Sequence, residues 1–537
     1  MTDRQSPRSG QRGGGPRGGS PQREGGAPRG GAQRRDGGQR RGGQGAQHKR
    51  PDPARMAAFE LQRRVNAGDA YANLALPEIL RDRRVSGRDA AFATELAYGA
   101  LRLRARYDAI LSRCLTGREL GGLDAEVLDV MRLGAHQLLG MRVPVHAAVS
   151  ETVGLARAVS GPGPTGIVNA VLRAVAEKPL EEWLEVLAGE RSGDEPESTD
   201  EQITRLAVTE SHPEWIVRAL RQGLAAEGLT GEDLSAELAA VLAANNAPPR
   251  PTLVARPGLV HVEDLAAETA KESGTAPVPG RWSPFALTAG GDPARLASVR
   301  SGAAGVQDEG SQVVALALLS AELDGPDSRW LDLCAGPGGK AALLGATALQ
   351  EGASLLANEV APHRSELVRG ALRPVLDRPG EPAVVVRTGD GRELGEELPG
   401  EFDRVLVDAP CTGLGALRRR PEARWRRQPS DLSTLGPLQR ELLTSALDAV
   451  RPGGVVAYVT CSPHIAETRL VVEDVLRRRE DVELIDAAVA LRDAAVEDPR
   501  VVGPYVQLWP HRHGTDAMFL ALLRRTEEPA ASSAARG

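Results

Sequence analysis

Residues 330–340 read Trp-Leu-Asp-Leu-Cys-Ala-Gly-Pro-Gly-Gly-Lys, an apolar run that ends in a glycine-rich turn and then opens a helical stretch. A strand passing through a tight turn into a helix is the first unit of a layered α/β sheet. Further short apolar runs follow at 354–358, 383–386, 404–407 and 455–459, separated by helical stretches. Strands alternating with helices predict a largely parallel, doubly wound, Rossmann-like domain over residues 301–525, with ligands at the carboxyl ends of its strands.

The glycine turn excludes one common ligand class. Cys334 stands where a phosphate-binding loop needs its first glycine, and Ala341 where it needs the Ser or Thr that holds magnesium. The remaining reading is a nucleoside cofactor that presents no phosphate. Glu359 closes the second predicted strand, the position from which an acidic side chain holds ribose hydroxyls. Asp390 follows the third, with adenine as its expected partner.

The fourth strand runs into Asp408-Ala409-Pro410-Cys411-Thr412-Gly413 and the fifth into Thr460-Cys461-Ser462-Pro463. Two cysteines are therefore expected at neighbouring strand ends, facing one crevice. A thiolate adds to C6 of a pyrimidine and makes C5 a carbon nucleophile able to accept a methyl group from a sulfonium donor. Nothing in the residues alone says which of Cys411 and Cys461 attacks. With Cys114 and Cys334 they make only four cysteines, none at zinc-ligand spacing, so neither a disulfide framework nor a metal site is expected.

Basic residues crowd behind Cys411. Arg418, Arg419, Arg420, Arg424, Arg426 and Arg427 surround Trp425, a pattern able to bind phosphates and stack a base, and a polyanion is its expected partner. The whole chain carries a net charge of −6, but residues 1–50 hold 12 Lys and Arg against Asp3, Glu24 and Asp36. A basic segment thus precedes an acidic remainder.

The rest divides by composition. Residues 1–52, rich in Gly and Arg with almost nothing apolar, are expected to be a disordered tail, either a loose nucleic-acid binder or a solubilising extension. Residues 53–180 show helical periodicity, as in Leu123, Val127, Met131 and Leu138, and predict an all-α domain. An acidic linker is expected over 181–210, a small mixed α+β segment over 211–300, and a second disordered tail over 526–537. No run of about 18 apolar residues occurs, so a membrane is not an expected partner and the cytoplasm is the expected compartment.

The motifs at 334–340, 408–413, 420–425 and 460–463 resemble, in order and spacing, those of RNA cytosine-C5 methyltransferases of the RsmB/Sun type. Residues 306–311 and 211–215 resemble the entry to that family's catalytic domain and the start of its RNA-contacting subdomain, and the helices around 132–139, 143–149 and 168–173 resemble its NusB-like RNA-binding domain. The resemblance implies S-adenosylmethionine as cofactor, held by Cys334, Ala335, Gly336, Pro337, Gly338, Gly339, Lys340, Glu359, Asp390 and Asp408. It implies Cys461 as the nucleophile, Cys411 as the residue assisting proton removal or product release, and Asp408 at the N3/N4 edge of the base. It further implies a monomer acting on an unpaired cytosine of 16S rRNA, of the cytosine 967 type. A tRNA methyltransferase of the same chemistry and a non-catalytic ribosome-assembly factor remain alternatives.

Overall fold

The computed structural model describes residues 51–68, 70–189, 197–376, 378 and 383–527. Residues 1–50 and 528–537, which make up nearly all of both expected tails, lie outside the described residues. Asp52, assigned to the tail on composition, instead caps the first helix, accepting from the Arg55 amide at 2.8 Å.

Seven helices build the N-terminal region: α1 (Pro53–Ala67), α2 (Ala72–Asp82), α3 (Gly87–Arg102), α4 (Arg104–Cys114), α5 (Ala125–Leu139), α6 (Val145–Ser160) and α7 (Thr165–Val175). Their apolar faces meet in one core that includes Leu61, Leu96, Met131 and Leu172. The face predicted from periodicity packs inward, with Val127 and Met131 buried and Leu123 and Leu138 partly so.

The stretch expected to be a linker is largely helical. α8 (Leu180–Ala188) buries Trp183 and Leu187 against the N-terminal core, and α9 (Thr199–Thr209) starts with a reciprocal capping box between Ser198 and Glu201. Its acidic composition hid the spacing of Ile203, Leu206 and Ala207, which α9 buries with α10 (Glu214–Ala225) and α11 (Gly231–Asn246). The small mixed region therefore gathers α9 from before residue 211. Its antiparallel sheet runs past residue 300, in the order β2 (Val278–Pro279), β3 (Ala286–Thr288), β1 (Thr252–Ala255), β4 (Ala304–Val306).

The remaining strands form one mixed sheet: β5 (Arg329–Asp332), β6 (Ser354–Glu359), β7 (Val384–Thr388), β8 (Phe402–Asp408), β9 (Val450–Thr460), β10 (Val482–Ile485), β11 (Val506–Gln507) and β12 (Phe519–Arg525). The order is β10-β12-β9-β8-β5-β6-β7, with β11 paired to β12. Strands β5 to β9 are parallel, while β10, β11 and β12 pair antiparallel. Side chains alternate between two cores, as β9 shows: Val455, Ala457 and Val459 enter one, Val456 and Tyr458 the other. The chain travels outward through β5, β6 and β7, then returns to place β8 on the other side of β5. Such a reversal of strand order opens a crevice at the carboxyl ends.

Candidate active site

Strand register brings the motifs together at that crevice. Asp332 pairs with Ala357 of β6 and Leu406 of β8, and Asp408 pairs with Val459 of β9. The glycine turn, Asp408 with Cys411, and Cys461 thus leave three adjacent strands at one level.

The turn is built for close approach. Gly338 has φ +106°, and a Cβ there would lie 2.7 Å from Ala371 Cβ, so only glycine fits. It caps the helix α15 (Gly339–Glu351), reached after α12 (Val262–Ser273), α13 (Ala297–Ser301) and α14 (Glu309–Ser320). Glu359 folds back on the turn: Oε2 accepts from the Gly336 amide at 3.1 Å and Oε1 from the Ala361 amide at 3.0 Å. Arg364 donates to the Gly336 carbonyl at 2.6 Å. A turn of bare backbone beside a carboxylate at the end of β6 fits the adenosyl part of a sulfonium nucleoside, because it offers acceptors for ribose hydroxyls and no cradle for phosphate. Asp390 follows β7, as expected, and is paired with a neighbouring arginine. Its carboxylate takes the Arg392 amide at 3.0 Å and the Arg392 guanidinium at 2.6 Å, and that arginine holds it below the usual carboxylate range.

Cys411 Sγ and Cys461 Sγ lie 3.4 Å apart. The hydrogen bond between them, working against burial, lowers the Cys461 thiol, and Lys340 and Arg420 add to the effect. The same bond, together with burial, pushes Cys411 well above an ordinary thiol. Of the two, Cys461 is therefore the more easily ionised. Lys340 Nζ donates to Asp408 Oδ2 at 2.8 Å. Burial opposes the Lys340 charge, but Asp408, Cys461 and Asp332 more than offset it and raise the ammonium above its ordinary value. Cys334, pushed well up by burial and by the carboxylates of Asp332, Asp408 and Glu359, stays a thiol.

Two residues of this cluster escaped the sequence reading. Asp332 is fully buried without a side-chain partner, and burial followed by the nearby Asp408 pushes it up to about 8, so it carries a proton at neutral pH. Its position as the last residue of β5, directly before the cofactor turn, was the available signal. Glu467 is also fully buried and accepts from Thr412 and Ser462, the residues that follow the two cysteines.

The arginine-rich segment does not form an open row. Arg424 is completely buried and donates to the carbonyls of Arg102 at 3.0 Å, Ser211 at 3.1 Å and Asn245 at 2.6 Å, and to Asn246 Oδ1 at 2.7 Å. Trp425 Nε1 donates to the Leu101 carbonyl at 2.9 Å, and Arg426 to the carbonyls of Val65 and Gly68. Arg418 and Arg419 are held by Asp516, and Arg427 pairs with Asp431 at 3.5 Å. These partners correct the expectation for Arg424 and Trp425 above all: backbone carbonyls of the N-terminal helices and of the α9–α11 region satisfy them, so neither presents its polar group to a nucleic acid. Arg420 is the most exposed of the seven, and its charge reaches Cys461.

Residues 320–524 match the family described as 16S rRNA methyltransferase RsmB/F, and residues 52–177 match the NusB family. The chain is 49% identical over 487 residues to a putative methyltransferase of Mycobacterium tuberculosis, covering 90% of this chain and 98% of that one. It is 30% identical over 472 residues to the ribosomal RNA small subunit methyltransferase B of Pseudomonas putida, covering 87% and 98%. The crystal structure of PH0851 shares the fold at 21% identity, with a TM-score of 0.68 over 88% of this chain and 99% of that one.

Proposed function

Because the chain belongs to the 16S rRNA methyltransferase RsmB/F family and is an S-adenosylmethionine-dependent RNA methyltransferase, we propose that it methylates C5 of one unpaired cytosine in 16S rRNA, of the cytosine 967 type, through a covalent adduct on Cys461. The thiol pair carries this reading. Two sulfurs at 3.4 Å, one favoured as thiolate and its neighbour as thiol, divide the labour between attack and proton handling.

In the reaction, the Cys461 sulfur bonds to C6 and the displaced ring electrons accumulate at C5. The turn of Cys334 to Lys340, with Glu359, would hold S-adenosylmethionine, which would supply a methyl group as an electrophile. C5 bonds to the methyl carbon as the sulfonium C–S bond breaks and leaves S-adenosylhomocysteine, and the C5 proton then passes to water with the assistance of Cys411, its electron pair re-forming the C5–C6 double bond. The C6–S bond breaks, its electron pair returning to the Cys461 sulfur. Lys340 occupies Asp408 Oδ2 and leaves Oδ1 for the amino edge of the base. The cytoplasm, where ribosomal RNA is assembled, is the compartment this activity requires. Among the described residues no helix is long and apolar enough to cross a membrane.

Bisulfite sequencing of ribosomal and transfer RNA from cells with and without the gene tests the substrate. Loss of one methylcytosine from 16S rRNA is expected; loss confined to tRNA would transfer the activity to that substrate. On purified protein, Cys461→Ala is expected to abolish methyl transfer, whereas Cys411→Ala accumulates an RNA adduct that resists denaturing electrophoresis. Turnover by Cys461→Ala at the wild-type rate would remove that cysteine from the mechanism.

A further inference from the structure

Nothing covalent fixes the separation of the two sulfurs. Cys411 lies in the loop after β8 and Cys461 in the loop after β9, so their spacing depends on whatever ties those loops together. The backbone supplies part of the tie, since the Gly415 amide donates to the Cys461 carbonyl at 2.8 Å. The Thr412 and Ser462 hydroxyls meet at 3.2 Å, and Glu467 grips both. Its Oε1 accepts from the Thr412 amide at 2.7 Å and from Gln439 Nε2 at 3.3 Å. Its Oε2 accepts from the Thr412 hydroxyl and, at 2.7 Å, from the Ser462 hydroxyl. The Glu467 carbonyl takes the Tyr458 hydroxyl at 2.9 Å, which pins the residue itself to β9.

We propose that Glu467 is the positioning residue of the two-thiol centre: one buried carboxylate that grips the residue after each cysteine and thereby holds Cys411 and Cys461 at working distance. Four donors converge on it from three segments, and a carboxylate is the side chain with four acceptor sites and no hydrogen to oppose them. A residue serving only to fill the core would have no need to meet Thr412 and Ser462 together. The charge also acts on the chemistry, because it adds to the forces that keep Cys411 protonated. Glu467 touches no reacting atom; it works through the two loops.

The inference rests on the two-cysteine reading above, and its test separates the two. In the purified full chain without RNA or methyl donor, diamide removes two electrons and two protons from the thiol pair, forming a Cys411–Cys461 disulfide and a hydrazine. The rate of that step, followed by mass spectrometry, reports thiol proximity whether or not the protein methylates RNA. Glu467→Ala is expected to slow disulfide formation about tenfold and single-turnover methyl transfer about a hundredfold, the effect of roughly 1 Å of misplacement. S-adenosylmethionine affinity by calorimetry and the KM for RNA should move less than about threefold. Glu467→Gln, whose amide oxygen accepts the Thr412 amide while the two hydroxyls turn to accept, should recover most of both rates. Wild-type disulfide and transfer rates in Glu467→Ala overturn the proposal, and so does a parallel collapse of cofactor affinity, which would make the residue a general support of the fold. Should Glu467→Ala not fold, Thr412→Val and Ser462→Ala each remove one grip, and unchanged disulfide rates in both overturn it equally.

Discussion

Lys340 and Asp332 show how burial sets charge at this site. Only four lysines occur in the chain, and Lys340, the one buried among the described residues, lies 2.8 Å from Asp408 and helps lower the Cys461 thiol. Lys340→Met keeps the length and removes the cation, so Cys461 loses thiolate and methyl transfer at neutral pH should fall about a hundredfold. Alkylation of Cys461 by iodoacetamide, measured across pH, should shift to more alkaline conditions; an unshifted profile would count against the electrostatic role. Asp332 makes the opposite kind of contribution. Its folded value of about 8 lies above the ordinary carboxylate value of 3.8, so the folded state binds the extra proton. The stability this gives is complete below the unfolded value and is lost as pH rises through about 8. Asp332→Asn, uncharged throughout, should therefore melt with less pH dependence than wild type between about pH 6 and 9, and a scanning-fluorimetry series over that window checks the slope.

At the scale of elements, the segment that follows Cys411 joins the catalytic sheet to the helices before it. Arg424 satisfies three carbonyls and one side-chain amide drawn from α3, the α9–α10 turn and α11, all without a carboxylate partner. Arg424→Met fills some of the space but abandons those acceptors, and a loss of about 3 kcal/mol is expected in urea denaturation. The same variant should reduce methyl transfer, since the segment it loosens begins at Cys411. Sequence patterning could not anticipate this. The arginines are legible as charge, but their acceptors lie as far back as Val65, and nothing local distinguishes an arginine bound for carbonyls from one bound for phosphate. Strand centres were legible because β5, β6, β8 and β9 are largely buried and read as near-continuous apolar runs. Their ends were not: β8 begins at Phe402 and β9 at Val450, before the densest apolar residues. The glycine turn and both cysteines stood out because their motifs are contiguous. Glu467 did not, because the donors that define it come from residues 412, 439 and 462.

For the whole molecule, the distribution of charge decides how RNA is attracted. Residues 1–50 carry 12 basic side chains against three acidic ones, although the complete chain has a net charge of −6. The remainder is therefore strongly acidic, and several of its arginines near the site are spent on Asp308, Asp516 and buried carbonyls. An acidic body repels a polyanion at long range, so the N-terminal segment is the natural source of non-specific attraction. Each phosphate neutralised releases about one condensed counterion, and the logarithm of the binding constant falls linearly with the logarithm of salt concentration, with a slope of about −0.7 per contact on single strands. A chain starting at residue 51 is expected to bind 16S rRNA fragments more weakly at low salt and with a shallower slope, while kcat at saturating RNA stays at the wild-type value. Fluorescence anisotropy over a salt series reads both quantities. Equal slopes for the two chains would assign the phosphate contacts to the folded region, with the exposed Arg420, whose charge reaches Cys461, as the first residue to substitute.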